Sequence, residues 1–122
     1  VAFASLPTII ISGVDPQPVE PGKDVTLDVT LFNKLTQDTG DFAVELQTQN
    51  SIILKSSSRD LSRVNLCSGC KQENTYFLTV DSRTVSGNYT IYVKAHTGNL
   101  ELREQVNIKV QGRPNVIFSA IP

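Results

Sequence analysis

The chain has 122 residues, 11 Lys and Arg against 12 Asp and Glu, and only 19% charged residues, so it has no basic field to hold nucleic acid or an anionic lipid surface. This length suits one domain with a real core and is too short for two. No stretch approaches the roughly 18 apolar residues of a membrane span, and the opening VAFASLPTIII lacks the basic lead of a signal peptide, so if the natural protein is exported its signal is expected outside this sequence.

Pro and Gly cut the chain into short runs with period-two alternation, and no window sustains an apolar 3.6-residue period, which predicts an all-β fold. Ile9 to Val14 predicts a first strand, closed by DPQPVEPG, whose prolines cannot donate to a ladder. In DVTLDVTLFN, Val25, Leu27, Val29 and Leu31 fall on one face and Thr26, Asp28 and Thr30 on the other, as one buried and one wet face require. DFAVELQT should turn Phe42, Val44 and Leu46 inward, and Ser51 to Ser58 is a fourth strand with a weaker pattern.

After a polar connection, TYFLTV offers Tyr76, Leu78 and Val80 to the core, and NYTIYVKA offers Tyr89, Ile91, Val93 and Ala95. The tight segment HTGN leads into LELREQVNIKV, which would bury Leu100, Leu102, Val106, Ile108 and Val110, with Glu104 breaking the phase as a bulge would. Seven strands at intervals of about ten residues predict an immunoglobulin-like β-sandwich of two antiparallel sheets. The absence of Trp and the close spacing of the two cysteines rule out an antibody-type bond between the sheets.

GRPNVIFSAIP, near the end, resembles LPTIIISGVDP near the start. With Pro114 aligned to Pro7, both runs read Pro, small polar, three large apolars, Ser, small, aliphatic, about one domain length apart. Self-similarity at that period points to a tandem array, against the simpler alternative of an apolar tail packing on its own domain. The expected division is a sandwich over residues 1–112 and a junction, or the first strand of a following repeat, over 113–122.

PTIIISGVDPQPVEPGKDVTLDVTLFN, the later Gly40 with Phe42 to Leu46, and VDSRTVSGNYTIYVKA with its Gly-x-Tyr strand entry carry a family likeness. On these stretches the chain resembles the cell-adhesion-related domains of bacteria (CARDB) and the allied repeats of archaeal surface-layer-like proteins. That resemblance implies an immunoglobulin-like module, outside the cell and in tandem, acting in adhesion or as a spacer, with no catalytic residues to carry over. The long polar loop before Asp41 and the CSGC motif depart from the family pattern.

Cys67-Ser-Gly-Cys70 is the most specific local motif. It admits a disulfide, a pair of free thiols or half of an intermolecular metal site, and a redox pair. The redox reading wants a helix N-terminus, whereas this motif runs into a predicted strand. A zinc site wants about four ligands, and His96 is the single histidine. An exported protein would oxidise the pair, which favours a structural disulfide.

Asn88-Tyr89-Thr90 is the single Asn-x-Ser/Thr sequon, so Asn88 is a candidate glycosylation site, against a structural reading as a turn residue with Tyr89 bonded to backbone in a tyrosine corner. Asp38, Asp41 and Asp81 lie in predicted loops, but their spacing matches no calcium loop. Ser57, Ser58 and Ser86 lack a nucleophile elbow, and no acid pair announces glycoside hydrolysis.

The expectation is therefore a non-catalytic, extracellular or cell-envelope module without cofactor or metal. Its partners would be neighbouring repeats, and other surface proteins or glycans. The competing reading is a carbohydrate-binding accessory module of a secreted enzyme, for which Phe32, Phe77 and Tyr92, opposite the proposed core, are the candidate aromatic contacts. The same three residues would otherwise meet a neighbouring domain.

Overall fold

The computed structural model describes residues 6–112; the expectation for Pro114 to Pro122 lies outside the described residues. Seven strands follow one another: β1 (Thr8–Asp15), β2 (Asp24–Phe32), β3 (Ala43–Gln47), β4 (Ile52–Ser57), β5 (Lys71–Val80), β6 (Gly87–Thr97) and β7 (Leu100–Val110). A four-stranded sheet runs β1-β2-β5-β4 and a three-stranded sheet β3-β6-β7, with antiparallel pairing throughout. In chain order this is the strand arrangement of a constant-type immunoglobulin sandwich.

The alternation in β2 fixes its seat at the centre of the larger sheet. Val25, Leu27, Val29 and Leu31 are buried, while the opposite face carries a polar ladder. There the Thr75 hydroxyl donates to Asp28 at 2.7 Å, the Thr79 hydroxyl donates to Asp24 at 2.8 Å, and Lys55 reaches Asp24 at 3.2 Å. Leu78, Val80, Ile91, Val93, Ile108 and Val110 complete the interior from β5, β6 and β7. Burying each such side chain stabilises the fold by roughly 1.5 to 3 kcal/mol.

After β1 the chain crosses between sheets. Val19 forms an isolated parallel bridge with Val110, donating to the Lys109 carbonyl at 2.9 Å and accepting from the Gln111 N–H at 3.0 Å. The two sheets are thus laced along one side by backbone without a covalent link.

Three expectations need correction. The register shifts are in β1 and β4 and not at Glu104: the β1–β2 register shifts between Ile11 and Gly13 and the β4–β5 register between Leu54 and Ser56, whereas β6 and β7 pair without a shift from Gly87–Val110 to Thr97–Leu100. Leu100 and Leu102, expected in the core, are 50% and 39% exposed. Glu104 opposes buried Val93 and shares the phase of both leucines, so the inward side of β7 continues past the cover of the facing sheet.

The third correction concerns the connection before TYFLTV. The strand begins earlier, at Lys71, and the loop ahead of it supplies buried Leu61, Val64 and Leu66. Val64 exchanges backbone hydrogen bonds with Phe42 at 2.7 and 2.9 Å, and the Val44 N–H donates to the Leu61 carbonyl at 2.8 Å. This loop thereby covers the start of the β3 edge.

Candidate functional site

Cys67 and Cys70 form a disulfide. The four residues make a turn closed by the Cys70 N–H to the Cys67 carbonyl at 3.0 Å, and Gly69 takes φ of 73°. Positive φ at the third position is what a type II turn demands, and glycine meets it without strain. The surroundings are structural: the Gly69 N–H donates to the Asn33 carbonyl at 2.8 Å, and the Asn33 N–H donates to the Cys70 carbonyl at 3.0 Å.

Asn33, read from sequence as the last residue of a strand, is the hub of this end of the molecule. Its side chain sits in a residue only 1% exposed, and Nδ2 faces the carbonyls of Gln37, Leu66 and Cys67 at 2.8, 3.1 and 3.0 Å. Its Oδ1 accepts the Leu35 N–H at 3.1 Å. One buried amide thus satisfies backbone groups from two loops, which is how polar side chains earn a place in an interior. A polar residue closing an apolar strand gives no periodic signal of such a role.

The expected tyrosine corner is present. The Tyr89 hydroxyl donates to the Val85 carbonyl at 2.6 Å, four residues upstream at the entry of β6. Buried Ile91, two residues on, occupies the position where antibody domains carry the second cysteine of their inter-sheet bond. Asn88 is exposed in the first turn of the β6–β7 ladder, opposite Lys109, so its amide is open to solvent.

The three aromatic candidates are not brought together. Phe32 ends β2 with the Lys71 ammonium 5.3 Å from its ring centre. Phe77 is exposed on the same sheet face but pairs with Thr26, six positions along β2, or roughly 20 Å away at strand rise. Tyr92 lies on the other sheet under the Arg103 guanidinium at 5.7 Å.

The loop acids are also apart. Asp41 accepts from Arg63 at 2.9 Å and Asn65 at 3.2 Å beside the loop that enters β5, and Asp81 accepts from the Arg83 N–H at 2.8 Å just after β5 ends. Hydrogen bonds from Asn65 and then Arg63 hold the Asp41 carboxyl below its ordinary value, and those from the Arg83 backbone and side chain do the same for Asp81. Among the described residues no group of three or more His, Cys, Asp or Glu is placed to hold a metal ion.

A groove of about 520 Å³ opens where the edges of the two sheets part, between β3 and β4. Val44 and Leu46 of β3, Leu54 of β4, Leu61 and Tyr76 give it an apolar lining, and His96, Arg59, Asp60 and Glu45 stand at its margin. His96 is therefore half-buried beside Ala43. Tyr76 is only 4% exposed, and its hydroxyl has no hydrogen-bond partner among the described residues.

Burial pushes the Tyr76 phenol up to about 12, with the neighbouring Asn74 amide pulling the other way. That amide nitrogen does not meet hydrogen-bond geometry with the phenol and is itself unpartnered. Asn74 Oδ1, in contrast, accepts from the Ser58 hydroxyl at 2.9 Å and the Arg59 N–H at 3.0 Å, tying down the end of β4.

No family model matches the chain, and no curated protein matches it. Similar solved structures support the β-sandwich fold. The cupredoxin domain of amoB from Nitrosocaldus yellowstonii has a TM-score of 0.51 at 16% identity, over 75% of this chain and 57% of that one. A family 123 glycoside hydrolase from Clostridium perfringens has a TM-score of 0.53 at 8% identity, over 78% of this chain and 22% of that one. The Pseudomonas fluorescens alkylpurine DNA glycosylase AlkC, bound to DNA containing an abasic site analog, has a TM-score of 0.58 at 16% identity, over 91% of this chain and 32% of that one. The chain thus spans between about a fifth and three fifths of these proteins, whose different chemistries share the architecture alone.

Proposed function

We propose that this chain is a non-catalytic repeat module of an extracellular or cell-envelope protein, serving as a spacer and interaction domain in a tandem array. The observation that carries this reading is the match between what the β1 seat requires and the sequence of the second run. In β1, Ile9 is buried and Ile11 and Val14 pack against the core; Val116, Phe118 and Ile121 stand at the aligned positions. Ser12 at the bulge meets the Thr30 hydroxyl at 3.0 Å, and Ser119 repeats it.

Gly13 aligns with Ala120, and a Cβ at Gly13 would meet nothing within 4 Å. The sequence at these five positions, bulge included, therefore suits a first strand beyond being merely apolar. The likeness to CARDB and surface-layer-like repeats agrees with this reading, and a disulfide is the chemistry of an oxidising compartment.

In such an array the mechanism is geometric. The chain is held through Gly112, whose N–H donates to the Ser86 hydroxyl at 2.9 Å, one residue after the Gln111 N–H bonds Val19. Arg113 then precedes Pro114, whose ring fixes one dihedral and restricts its neighbour. A junction this short limits the angles between modules. Small-angle scattering from two consecutive modules of the parent protein should give one elongated, narrow distance distribution; a broad distribution typical of freely jointed domains would reject the stiff spacer.

A further inference from the structure

Two exposed apolar side chains stand at opposite ends of the sandwich, each on backbone held by side-chain hydrogen bonds. At the end where the chain leaves β7, Val85 is 73% exposed, the highest value for a large apolar side chain among the described residues. Its carbonyl accepts the Tyr89 hydroxyl at 2.6 Å, and the hydroxyl of the next residue, Ser86, accepts the Gly112 N–H at 2.9 Å. Val85 is thus pinned beside the exit of the chain. At the other end, where β1 begins opposite Phe32, Leu35 is 40% exposed. Its N–H donates to Asn33 Oδ1 at 3.1 Å, and its carbonyl accepts the Ser68 hydroxyl of the CSGC turn at 2.6 Å. A lone exposed apolar residue needs no explanation. Two of them, each tied down where the chain enters or leaves, call for one.

We propose that these ends are the two halves of one head-to-tail contact: Val85 packs on the entry end of the following module, and Leu35 receives the exit end of the preceding one. The inference rests on the repeat reading and adds to it the surface through which modules touch. Tether length selects the occupant. Asn115 aligns with Thr8, the first residue of β1, so Arg113 and Pro114 alone separate Gly112 from the next first strand. At roughly 3.3 to 3.6 Å per extended residue, three steps reach about 11 Å. The following module is therefore held against the exit end, and the end where its own β1 starts is the surface turned toward Val85. Ser86, Asn88, Lys109 and Gln111 line a shallow hollow at the same exit, giving an apolar point of contact a polar rim. Because hydrogen bonds already fix the backbone of both apolar residues, docking orders little that was free. A heterologous contact of this kind extends from module to module without closing, as a rod of repeats requires.

The test uses this module joined to its natural successor in the parent protein, followed by amide relaxation and small-angle scattering. The wild-type pair should tumble as one body with a narrow distance distribution. Val85→Asp should give each module its own shorter correlation time and broaden the distribution, whereas Val85→Ile should behave as wild type. In the 122-residue chain alone both variants should melt with the wild type, since the side chain is exposed and Tyr89 bonds the backbone there. With the natural predecessor in place, Leu35→Gln should uncouple that pair in the same way. A wild-type pair that tumbles as two independent bodies rejects the stiff spacer and the contact together. A pair that still tumbles as one with Val85→Asp or Leu35→Gln overturns the contact alone, and leaves the Pro114 junction to set the angle.

Discussion

Asn33 shows how much one side chain can hold. Removing its side-chain amide would take a donor from the carbonyls of Gln37, Leu66 and Cys67 and the acceptor from the Leu35 N–H, although Leu66 and Cys67 would keep the N–H groups of Thr39 and Cys70. Asn33→Ala should therefore destabilise the domain by about 3 kcal/mol, and Asn33→Asp, which turns an acceptor toward those carbonyls, by at least as much; denaturant titration measures both. A loss near zero would mean that the hub is dispensable. The carboxylates act more gently and together. Asp24, Asp41, Asp60, Asp81 and Glu101 all lie below their ordinary values because donors met in the fold favour the charged form. The unfolded chain then binds protons more readily, so their contribution is present above the ordinary carboxylate range and is lost as pH falls through the folded values. Lys94, raised chiefly by the hydrogen bond it donates to Glu101, works in the opposite sense, and its contribution is lost only as pH rises above 10.5. The melting temperature should stay flat from about pH 5 to 8 and decline below about pH 4. These groups are exposed, so the decline should be gradual; a maximum below pH 4 would contradict the assignment.

At the scale of elements, β2 and β6 were legible because their alternation coincides with burial along almost their whole length. Leu27 and Ile91, at the centre of the two sheets, are fully buried, and Leu27→Asn or Ile91→Asn should each cost about 3 to 5 kcal/mol. Against a total of roughly 5 to 15 kcal/mol, either variant should melt far below the wild type, and an unchanged melting curve would sink the core assignment. β7 shows the limit of alternation: Leu100 and Leu102 keep the inward phase, but phase does not report how far the opposite sheet extends. Glu104 looked like an interruption for the same reason. The bulge at Ser12 and the core residues Leu61, Val64 and Leu66 were not legible, because a one-residue slip and a folded-back loop are settled by contacts distant in sequence. The CSGC turn was read correctly as a disulfide, while its clasp by Asn33 was hidden. Closing so small a ring removes chain entropy worth about 2 kcal/mol, and the turn keeps its backbone hydrogen bonds when reduced. Reductant should therefore lower the melting temperature by less than about 10 °C, as differential scanning calorimetry would show; global unfolding on reduction would contradict this role.

For the whole molecule, the sandwich, its strand count and its two sheets were available from pattern and spacing, while the candidate site was not. The groove arises where β3 and β4, distant in sequence from Tyr76, leave the edges of two sheets apart, and no local motif announces it. The spacer reading rests instead on a feature visible only in the linear sequence, the recurrence of the β1 pattern in Pro114 to Ile121. It makes the last residues a part of the next module and not of this one. The most direct measurement is the melting temperature of the chain ending at Arg113, compared with the full 122 residues. The account predicts agreement within about 1 °C, because the core closes at Val110 and the chain is anchored through Gly112. A fall of several degrees would show that the segment packs on this domain and would contradict the repeat.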